Sequence, residues 1–134
     1  MINLDTNTAI AFIAENSPLR FELKQYVAGS ELVMAQVAVD EFNAIVRYSA
    51  GVKEKVRALC FLQRVRVVPN IASTAAQSLR PTRQLGENDI IILGTGDRLG
   101  IVTMTADAKA VRAAIAQGVQ FNVFVHGSCP LMGE

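Results

Sequence analysis

The sequence predicts an α/β fold in which helices flank a central, mainly parallel β-sheet. The chain has 134 residues, of which 51% are hydrophobic and 19% charged, so it is long and apolar enough to form a single domain, 1–134, around its own core. Short apolar runs alternate with segments of helical periodicity along the whole chain. Strands separated by helices are joined by right-handed crossovers, which make the strands parallel and place helices on both faces. The expected architecture is therefore a three-layer α/β/α arrangement.

The first elements are two strands and two helices. Met1–Asp5 is a short apolar run that predicts a strand, and Thr6–Ala14 follows as a helix opened by polar residues. Ser17-Pro18 predicts the start of a second helix, because proline is favoured at the first helical position. Gly29 ends that helix. Glu31–Ala35 predicts the second strand.

The middle of the chain predicts two helices and a strand. Val37–Ser49 carries apolar residues at helical spacing. Gly51 separates it from a further helix with one apolar side, which includes Cys60 and places this thiol in the core. Arg66–Val68 is a short strand that Pro69 ends.

The last part of the chain returns to the same alternation. Its predicted elements are an Ala-rich helix at Ile71–Arg80, a loop to Gly86, a helix from Glu87 or Asn88 to about Leu99, a strand at Ile101–Thr105, an Ala-rich helix at Ala106–Ala116, a strand at Phe121–Val125 and an irregular tail at 126–134.

The composition also bears on where the chain works. It has no apolar run near the ~20 residues that a membrane span needs, and no basic start followed by an apolar stretch and a cleavage site, so we expect a cytoplasmic protein without a membrane segment. Cys60 and Cys129 are far apart; free thiols are the simpler expectation, although a disulfide stays open. We expect Cys129 to be exposed. The one histidine, His126, is expected at the surface of the tail.

Charge is distributed unevenly along the chain. The segment from Arg47 to Arg83 contains eight basic residues and one acidic residue, Glu54, which gives it a net charge of +7, whereas the rest of the chain carries −6. This pattern suits a polyanion bound near a carboxylate-rich site. A solvated helix face that only keeps the protein soluble explains it equally well.

Carboxylates follow or precede the predicted strands at four places. Asp5 ends the first strand, Glu41 lies in the helix after the second, and Asp89 and Asp107 flank the strand at Ile101–Thr105. In a parallel sheet the ligand site lies beyond the carboxyl ends of the strands. Clustered carboxylates repel one another unless a cation lies between them. Oxygen ligands alone select Mg²⁺ or Mn²⁺, which can assist hydrolysis of a phosphodiester by water.

Each of these acids also has a simpler interpretation. The three aspartates could be helix caps. Glu41 interrupts an otherwise apolar helix face, where a lone buried carboxylate is costly, and this favours a functional role. Asp40 points about 100° away from Glu41 and is the expected surface residue. The prediction of a site therefore depends on the four acids together.

Four short motifs in order resemble the PIN domain, the small nuclease fold of VapC-type toxins. The chain reads Ile2-Asn3-Leu4-Asp5-Thr6-Asn7, then Glu41 within the apolar helix Val37–Ile45, then Asn88-Asp89-Ile90-Ile91-Ile92, then Ile101-Val102-Thr103-Met104-Thr105-Ala106-Asp107. The resemblance covers nearly the whole chain. Each motif is weak alone, and the ordered set is more specific.

The resemblance implies an Mg²⁺- or Mn²⁺-dependent endoribonuclease that hydrolyses RNA phosphodiesters. Asp5, Glu41, Asp89 and Asp107 would be its catalytic, metal-binding acids, and Asn7 and Thr105 would orient a carboxylate or a water. The family further implies the toxin of a toxin–antitoxin pair, an antitoxin protein as partner, and a homodimer. The alternative is a PIN-like module that binds RNA or protein without cleaving.

Two other chemistries leave partial traces. Gly94-x-Gly96-x-x-x-Gly100 suggests a dinucleotide loop, but such a loop needs a helix after it, whereas a strand is predicted there. Close helix packing at Gly94 and Gly96, with Gly100 ending the helix, explains these glycines better. An aspartyl-nucleophile phosphatase would usually carry a second aspartate where this chain has Asn7.

Overall fold

The computed structural model describes residues 1–14 and 18–133, and within these ranges it contains a five-stranded sheet between layers of helices. The order across the sheet is β3-β2-β1-β4-β5, and every neighbouring pair is parallel. The strands are β1 at Ile2–Leu4, β2 at Leu32–Ala35, β3 at Val65–Val68, β4 at Thr103–Thr105 and β5 at Val123–Val125. The predicted α/β class with a parallel central sheet is confirmed.

The helices follow the predicted order. They are α1 at Thr6–Ile13, α2 at Pro18–Val27, α3 at Gln36–Ser49, α4 at Val52–Leu62, α5 at Thr74–Gln77, α6 at Glu87–Leu99 and α7 at Ala108–Ala116. Pro18 is the first residue of α2, as predicted, and Ser17 lies outside the described residues. Over the described part of the chain, none of these helices has the length and apolarity to cross a membrane.

The predicted helix over Ile71–Arg80 is wrong in extent, because only the single turn of α5 forms. Ser73 caps that turn through its side chain, and its backbone N–H donates to the Gly94 carbonyl of α6 at 3.0 Å instead of to a preceding helical turn. Ile71 N–H bonds to the Pro69 carbonyl. Docking on α6 therefore replaces the first helical turn that the Ala-rich composition predicts.

The glycines of α6 serve close packing. A Cβ added at Gly94 would lie 2.6 Å from the Cβ of Ala76, so α5 contacts α6 directly. A Cβ at Gly96 would overlap Thr103 of β4 and Asn3 of β1. Gly100 ends the helix in the left-handed region, with φ of 69°. These glycines lie within a helix and at its end, which leaves no phosphate-binding loop there.

Helix α4 packs with a different side from the one predicted. Val52, Val56, Leu59 and Cys60 are exposed, so the prediction that Cys60 lies in the core is wrong. The buried residues are Glu54 and Ala58. Burial of Glu54 is compensated by backbone N–H groups that bond to its carboxylate, including those of Met132 and Gly133. The hydrophobic pattern alone could not show this, because the partners lie 78 and 79 residues away.

Candidate active site

Asp5 lies directly after β1, at the carboxyl end of the sheet. Its side chain is 7% exposed. One carboxylate oxygen accepts the backbone N–H of Thr6 at 2.7 Å, and the other accepts the hydroxyl of Thr105, the last residue of the adjacent strand β4, at 2.6 Å. The two parallel strands thus end together and fix the Asp5 carboxylate between them.

Glu41 comes to the same place from α3, the helix that follows β2. Its Oε1 accepts the Thr6 hydroxyl at 2.8 Å, and its Oε2 accepts the Asn88 amide at 3.1 Å. The carboxylate is therefore held between the first residue of α1 and the first turn of α6. Asp40 is exposed, as predicted, and accepts the side chain of Gln36.

Asp89 and Asp107 cap helices, as the simpler interpretation predicts. The Oδ2 of Asp89 accepts the Gly86 N–H at 2.9 Å at the start of α6, and the Oδ1 of Asp107 accepts the Ala110 N–H at 3.0 Å at the start of α7. Each cap uses one of the two carboxylate oxygens. A second oxygen of each acid can therefore bind another partner, so capping does not exclude a functional role.

Asn7 and Thr105 tie the loop after β4 to the start of α1. The Oδ1 of Asn7 accepts the Ala106 N–H at 3.0 Å. The hydroxyl of Thr105 donates to Asp5 and accepts the Asp107 N–H at 3.0 Å. One hydroxyl thus connects two of the candidate acids, while the Asn7 amide fixes the segment between them.

Burial and neighbouring negative charges raise the pKa of two of the four acids, Asp5 and Asp89. Burial raises the pKa of the Asp5 carboxyl from 3.8 to about 6, its hydrogen bonds oppose the shift, and the negative charges of Asp89 and Glu41 add to it. Burial also raises the pKa of Asp89, with further contributions from the charges of Asp107 and Glu41. Because neighbouring negative charges add to the raised pKa of both Asp5 and Asp89, a cation placed among these acids would be favourable.

A groove of about 590 Å³ opens beside these acids. Asp5, Glu41 and Asp89 line one part of it, together with Asn7, whereas Asp107 is outside its lining. Ile10 of α1 and Ile45 of α3 add apolar surface to the lining, and the C-terminal segment 128–131 completes it. The groove thus combines an acidic end with a largely apolar continuation.

The donor set suits a hard divalent cation, since the acids offer only carboxylate oxygens. Among residues 1–14 and 18–133, however, no three His, Cys, Asp or Glu side chains are arranged as a ready metal cage. The hydrogen bonds from Thr6 and Asn88 to Glu41, and the cap at Asp89, explain this arrangement, because they turn carboxylate oxygens toward protein donors. The residues fit such a cation in chemistry and in mutual charge.

Several residues of the site carry no role in the sequence prediction. Thr6 and Asn88 hold Glu41, and both lie inside the quoted motifs, next to Asp5 and Asp89, so their position was a usable signal. His126 was expected at the surface but is half-buried, with Nε2 2.6 Å from the Thr8 hydroxyl. Cys129 was expected to be exposed but is partly buried against the core. Both cysteines are free thiols, as expected.

A family model described as "Protein of unknown function (DUF1308)" matches residues 4–134. Its description assigns no activity. The match spans almost the entire chain and includes all four candidate acids.

Solved structures provide a separate comparison of the fold. A chain in the crystal structure of VapBC2 from Rickettsia felis bound to a DNA fragment from their promoter superposes with a TM-score of 0.63 at 14% identity, over 96% of this chain and 100% of that one. A chain of DNA-bound VapBC from Salmonella typhimurium gives 0.61 at 18% identity, over 96% and 98%. A domain of a functionally unknown protein from Methanocaldococcus jannaschii gives 0.55 at 15% identity, over 99% and 95%. At these identities the likeness shows a shared fold, in agreement with the three-layer α/β/α arrangement predicted from the sequence.

Proposed function

Since the chain belongs to the DUF1308 family, for which no function is described, we propose from its own site that it is a metal-dependent endoribonuclease that hydrolyses RNA phosphodiesters. One observation carries the proposal. Asp5, Glu41, Asp89 and Asp107 come from four different parts of the chain and lie near one another at the carboxyl end of the sheet, where the charges of neighbouring acids help to raise the pKa of Asp5 and Asp89. Gathering these carboxylates at one place destabilises the fold, and a bound divalent cation would offset that destabilisation.

The roles of the acids follow from their surroundings. Asp5, Glu41, Asp89 and Asp107 would hold Mg²⁺ or Mn²⁺, which lowers the pKa of an attacking water and neutralises charge on the phosphate. Asp5 and Glu41 are the most constrained of them, because protein donors bind both oxygens of each carboxylate. Thr6 and Asn88 orient Glu41, and Asn7 holds the loop that carries Asp107.

RNA is the substrate in this proposal, and the basic segment Arg47–Arg83 would supply phosphate contacts and a salt-dependent part of the affinity. The groove lining contains none of these basic residues, so their contacts would be made by parts of the RNA outside the groove. Raising the salt concentration should therefore weaken RNA binding while leaving cleavage of fully bound RNA nearly unchanged.

We further propose that the protein is the toxin of a toxin–antitoxin pair in the cytoplasm. The similar structures from R. felis and S. typhimurium are VapBC assemblies, and the shared fold supports this proposal by analogy. An antitoxin protein would then restrain the nuclease, and the nuclease itself would be a homodimer. Mass spectrometry of the protein purified from its own cells tests for the partner, and light scattering of the isolated chain tests for the dimer.

The test of activity is cleavage of a mixed RNA pool in Mg²⁺, Mn²⁺ or EDTA by wild type and by Asp5→Asn. We expect metal-dependent cutting that falls at least ~100-fold in the variant. Asp40→Asn is the matched control, because this carboxylate is exposed on the neighbouring position of the same helix as Glu41 and should leave cutting unchanged. No cutting by folded protein in any metal, once a co-purified inhibitor has been excluded, would contradict the proposal.

A second candidate is a PIN-like module that binds RNA or protein without cleaving. It is favoured by the observation that no three candidate ligands in the described residues stand in metal-binding geometry. Isothermal titration with Mn²⁺ separates the two candidates. A nuclease should bind the ion at the acids and lose that binding in Asp5→Asn, whereas a non-catalytic module should show RNA binding without it.

A further inference from the structure

The segment after β5 crosses the carboxyl end of the sheet and borders the groove. We call residues 126–133 the strap. Its residues 128–131 line the groove, and the same lining includes Asp5 and Asn7 as well as Ile45 and Ser49 of α3. Cys129 and Leu131 are half-buried and pack against the main hydrophobic core. The strap is therefore a part of the groove and not a loose tail beside it.

The strap is held to the fold at its first residue. The backbone N–H of His126 donates to the Thr105 carbonyl at 3.0 Å. The His126 ring nitrogen Nε2 lies 2.6 Å from the hydroxyl of Thr8, which itself donates to the Met104 carbonyl. These contacts join the strap to the end of β4 and to α1, the two elements that flank Asp5.

Glu54 holds the other end of the strap. This side chain is 0% exposed. Its Oε2 accepts the Met132 N–H at 2.9 Å, and its Oε1 accepts the N–H groups of Gly133 and Gly51, both at 3.0 Å. A carboxylate is buried at a cost of several kcal/mol unless such donors surround it. The bond to Gly51 caps α4, whereas the bonds to Met132 and Gly133 both compensate the burial of this carboxylate and join the strap to α4.

Glu54 has no place in the proposed hydrolysis, because it lies on α4 and outside the groove lining. Its hydrogen bonds to Met132 and Gly133 nevertheless hold the strap directly after residues 128–131, which line the groove. We propose that the strap is the second wall of the substrate groove, that RNA passes between the strap and α3, and that Glu54 is the positioning residue that sets this wall in place. The inference rests on the proposed function, since it assigns RNA to the groove.

The chemistry of the walls agrees with this assignment. Ile10, Ile45, Pro130 and Leu131 offer apolar surface next to the carboxylates. A nucleotide whose phosphate lies at the acids would place its sugar and base against that surface. Apolar walls with a few polar groups at one end are typical of pockets that bind small aromatic groups.

Protection of Cys129 from alkylation tests where RNA lies. The protein is prepared as Asp5→Asn, so that RNA is not cut, and as Cys60→Ser, so that Cys129 is the one thiol. A maleimide is added with and without saturating single-stranded RNA, while fluorescence anisotropy of the same RNA reports binding. We expect bound RNA to slow alkylation of Cys129 at least ~10-fold. Asp5→Asn with both native cysteines replaced by serine and with Ile115→Cys is the control for general shielding, since Ile115 is 49% exposed and lies outside the basic segment and the groove lining.

A second pair of variants tests the fastening without altering Glu54. Met132→Pro removes the backbone N–H that donates to Glu54, whereas Met132→Ala keeps it, and the Met132 side chain is 65% exposed. Met132→Pro should raise the alkylation rate of Cys129 in the free protein about 3-fold or more. It should also raise the KM for RNA more than it lowers kcat. Met132→Ala should match wild type, and circular dichroism checks that both variants are folded.

The outcomes separate the two proposals. RNA that binds without protecting Cys129 overturns the strap inference alone. Equal alkylation rates and equal KM values in folded Met132→Pro and Met132→Ala also overturn it. An absence of RNA binding by anisotropy overturns the proposed function and the inference with it. Protection of Cys129 without any cleavage by wild type keeps the strap as a wall of an RNA groove and refutes catalysis.

Discussion

Asn3 within β1 and Asp5 directly after it make similar local contacts but have different roles. Asn3 and Asp5 are two residues apart and therefore lie on the same face. Each contacts a threonine of β4: the Asn3 amide donates to Thr103 at 3.0 Å, and Asp5 accepts the hydroxyl of Thr105 at 2.6 Å. Both polar side chains are buried, at 0% and 7% exposure. The pair at residue 3 is neutral, whereas the pair at residue 5 carries a charge.

What surrounds each pair explains the difference. The Asn3 amide also donates to the Ile92 carbonyl of α6, and Gly96 of the same helix packs so closely that a Cβ there would overlap both Asn3 and Thr103. Asp5 instead faces the groove and neighbouring carboxylates. We call Asn3 and Thr103 the closed pair and Asp5 and Thr105 the open pair. The closed pair ties α6 to the sheet, whereas the open pair keeps a carboxyl group at the groove at a cost in stability.

Replacing the neutral amide of the closed pair by a carboxylate should cause the largest loss of stability. Asn3→Asp places a carboxylate where its partners are a carbonyl and a hydroxyl, so at pH 7 the free energy of unfolding should fall by about 3–5 kcal/mol. The loss should shrink below about pH 4, where the buried carboxyl is protonated in both states. Urea unfolding at both pH values measures this. A pH-independent loss would show that shape and not charge distinguishes the pairs.

Removing the charge from the open pair should, by contrast, increase the stability of the protein near neutral pH. The pKa of Asp5 is raised from 3.8 to about 6 in the folded protein, so the folded state binds the proton more tightly than the unfolded state. The contribution of this proton to the free energy of unfolding is therefore fully present below about pH 4, and it is lost as the pH rises through 6. In EDTA, Asp5→Asn should gain about 2–3 kcal/mol over wild type between pH 4 and pH 7. Mg²⁺ should then stabilise wild type and not the variant.

If the stability difference between Asp5→Asn and wild type is flat from pH 4 to pH 7, Asp5 titrates normally and the mutual repulsion of the acids is not a property of this site. Asn is also a favoured helix cap. The variant can therefore keep the bond to the Thr6 N–H, and misfolding is not the expected cause of any change.

Most of the fold and the position of the acids could be predicted from periodicity and from the rule that sites follow parallel strands. Asp5 and Asp107 follow β1 and β4, which are neighbours in the sheet, so this rule brought them to one edge. The burial of Glu54 and the path of the strap could not be predicted. Both depend on hydrogen bonds between α4 and the last residues of the chain, and such contacts leave no local periodicity.

The short length of helix α5 also depends on contacts that are distant in the sequence. Its Ala-rich sequence favours a longer helix, but the Ser73 N–H donates to the Gly94 carbonyl of α6, and the Cβ atoms of Ala72 and Ala76 lie where a side chain at Gly94 would be. Tertiary docking thus overrides helix propensity. The glycines of α6 did carry the signal, since they indicated close packing before the partner was known.

The closed pair also predicts that α6 tolerates no side chain at Gly96. Gly96→Ala should lower the free energy of unfolding by about 1–3 kcal/mol, because Asn3 and Thr103 must move to accommodate the new Cβ. Gly127→Ala is the control, since a Cβ there meets nothing within 4 Å and should change stability by less than about 0.5 kcal/mol. Equal effects in thermal unfolding would show that α6 is not in close contact with β1 and β4.

The two threonines give the most selective comparison, because the expected difference between their variants is smaller than either preceding loss of stability and depends on pH. Thr103→Val removes a hydroxyl that accepts the neutral Asn3 amide, so it should cost about 1 kcal/mol at any pH. Thr105→Val removes a donor to a carboxylate, which should cost about 1.5–3 kcal/mol at pH 7 and less at pH 4, where Asp5 is protonated. Because the Thr105 hydroxyl also lowers the pKa of Asp5, its loss should raise that pKa further. NMR titration of the Asp5 carboxyl in the two variants measures this, and equal shifts would contradict the distinction between the closed and the open pair.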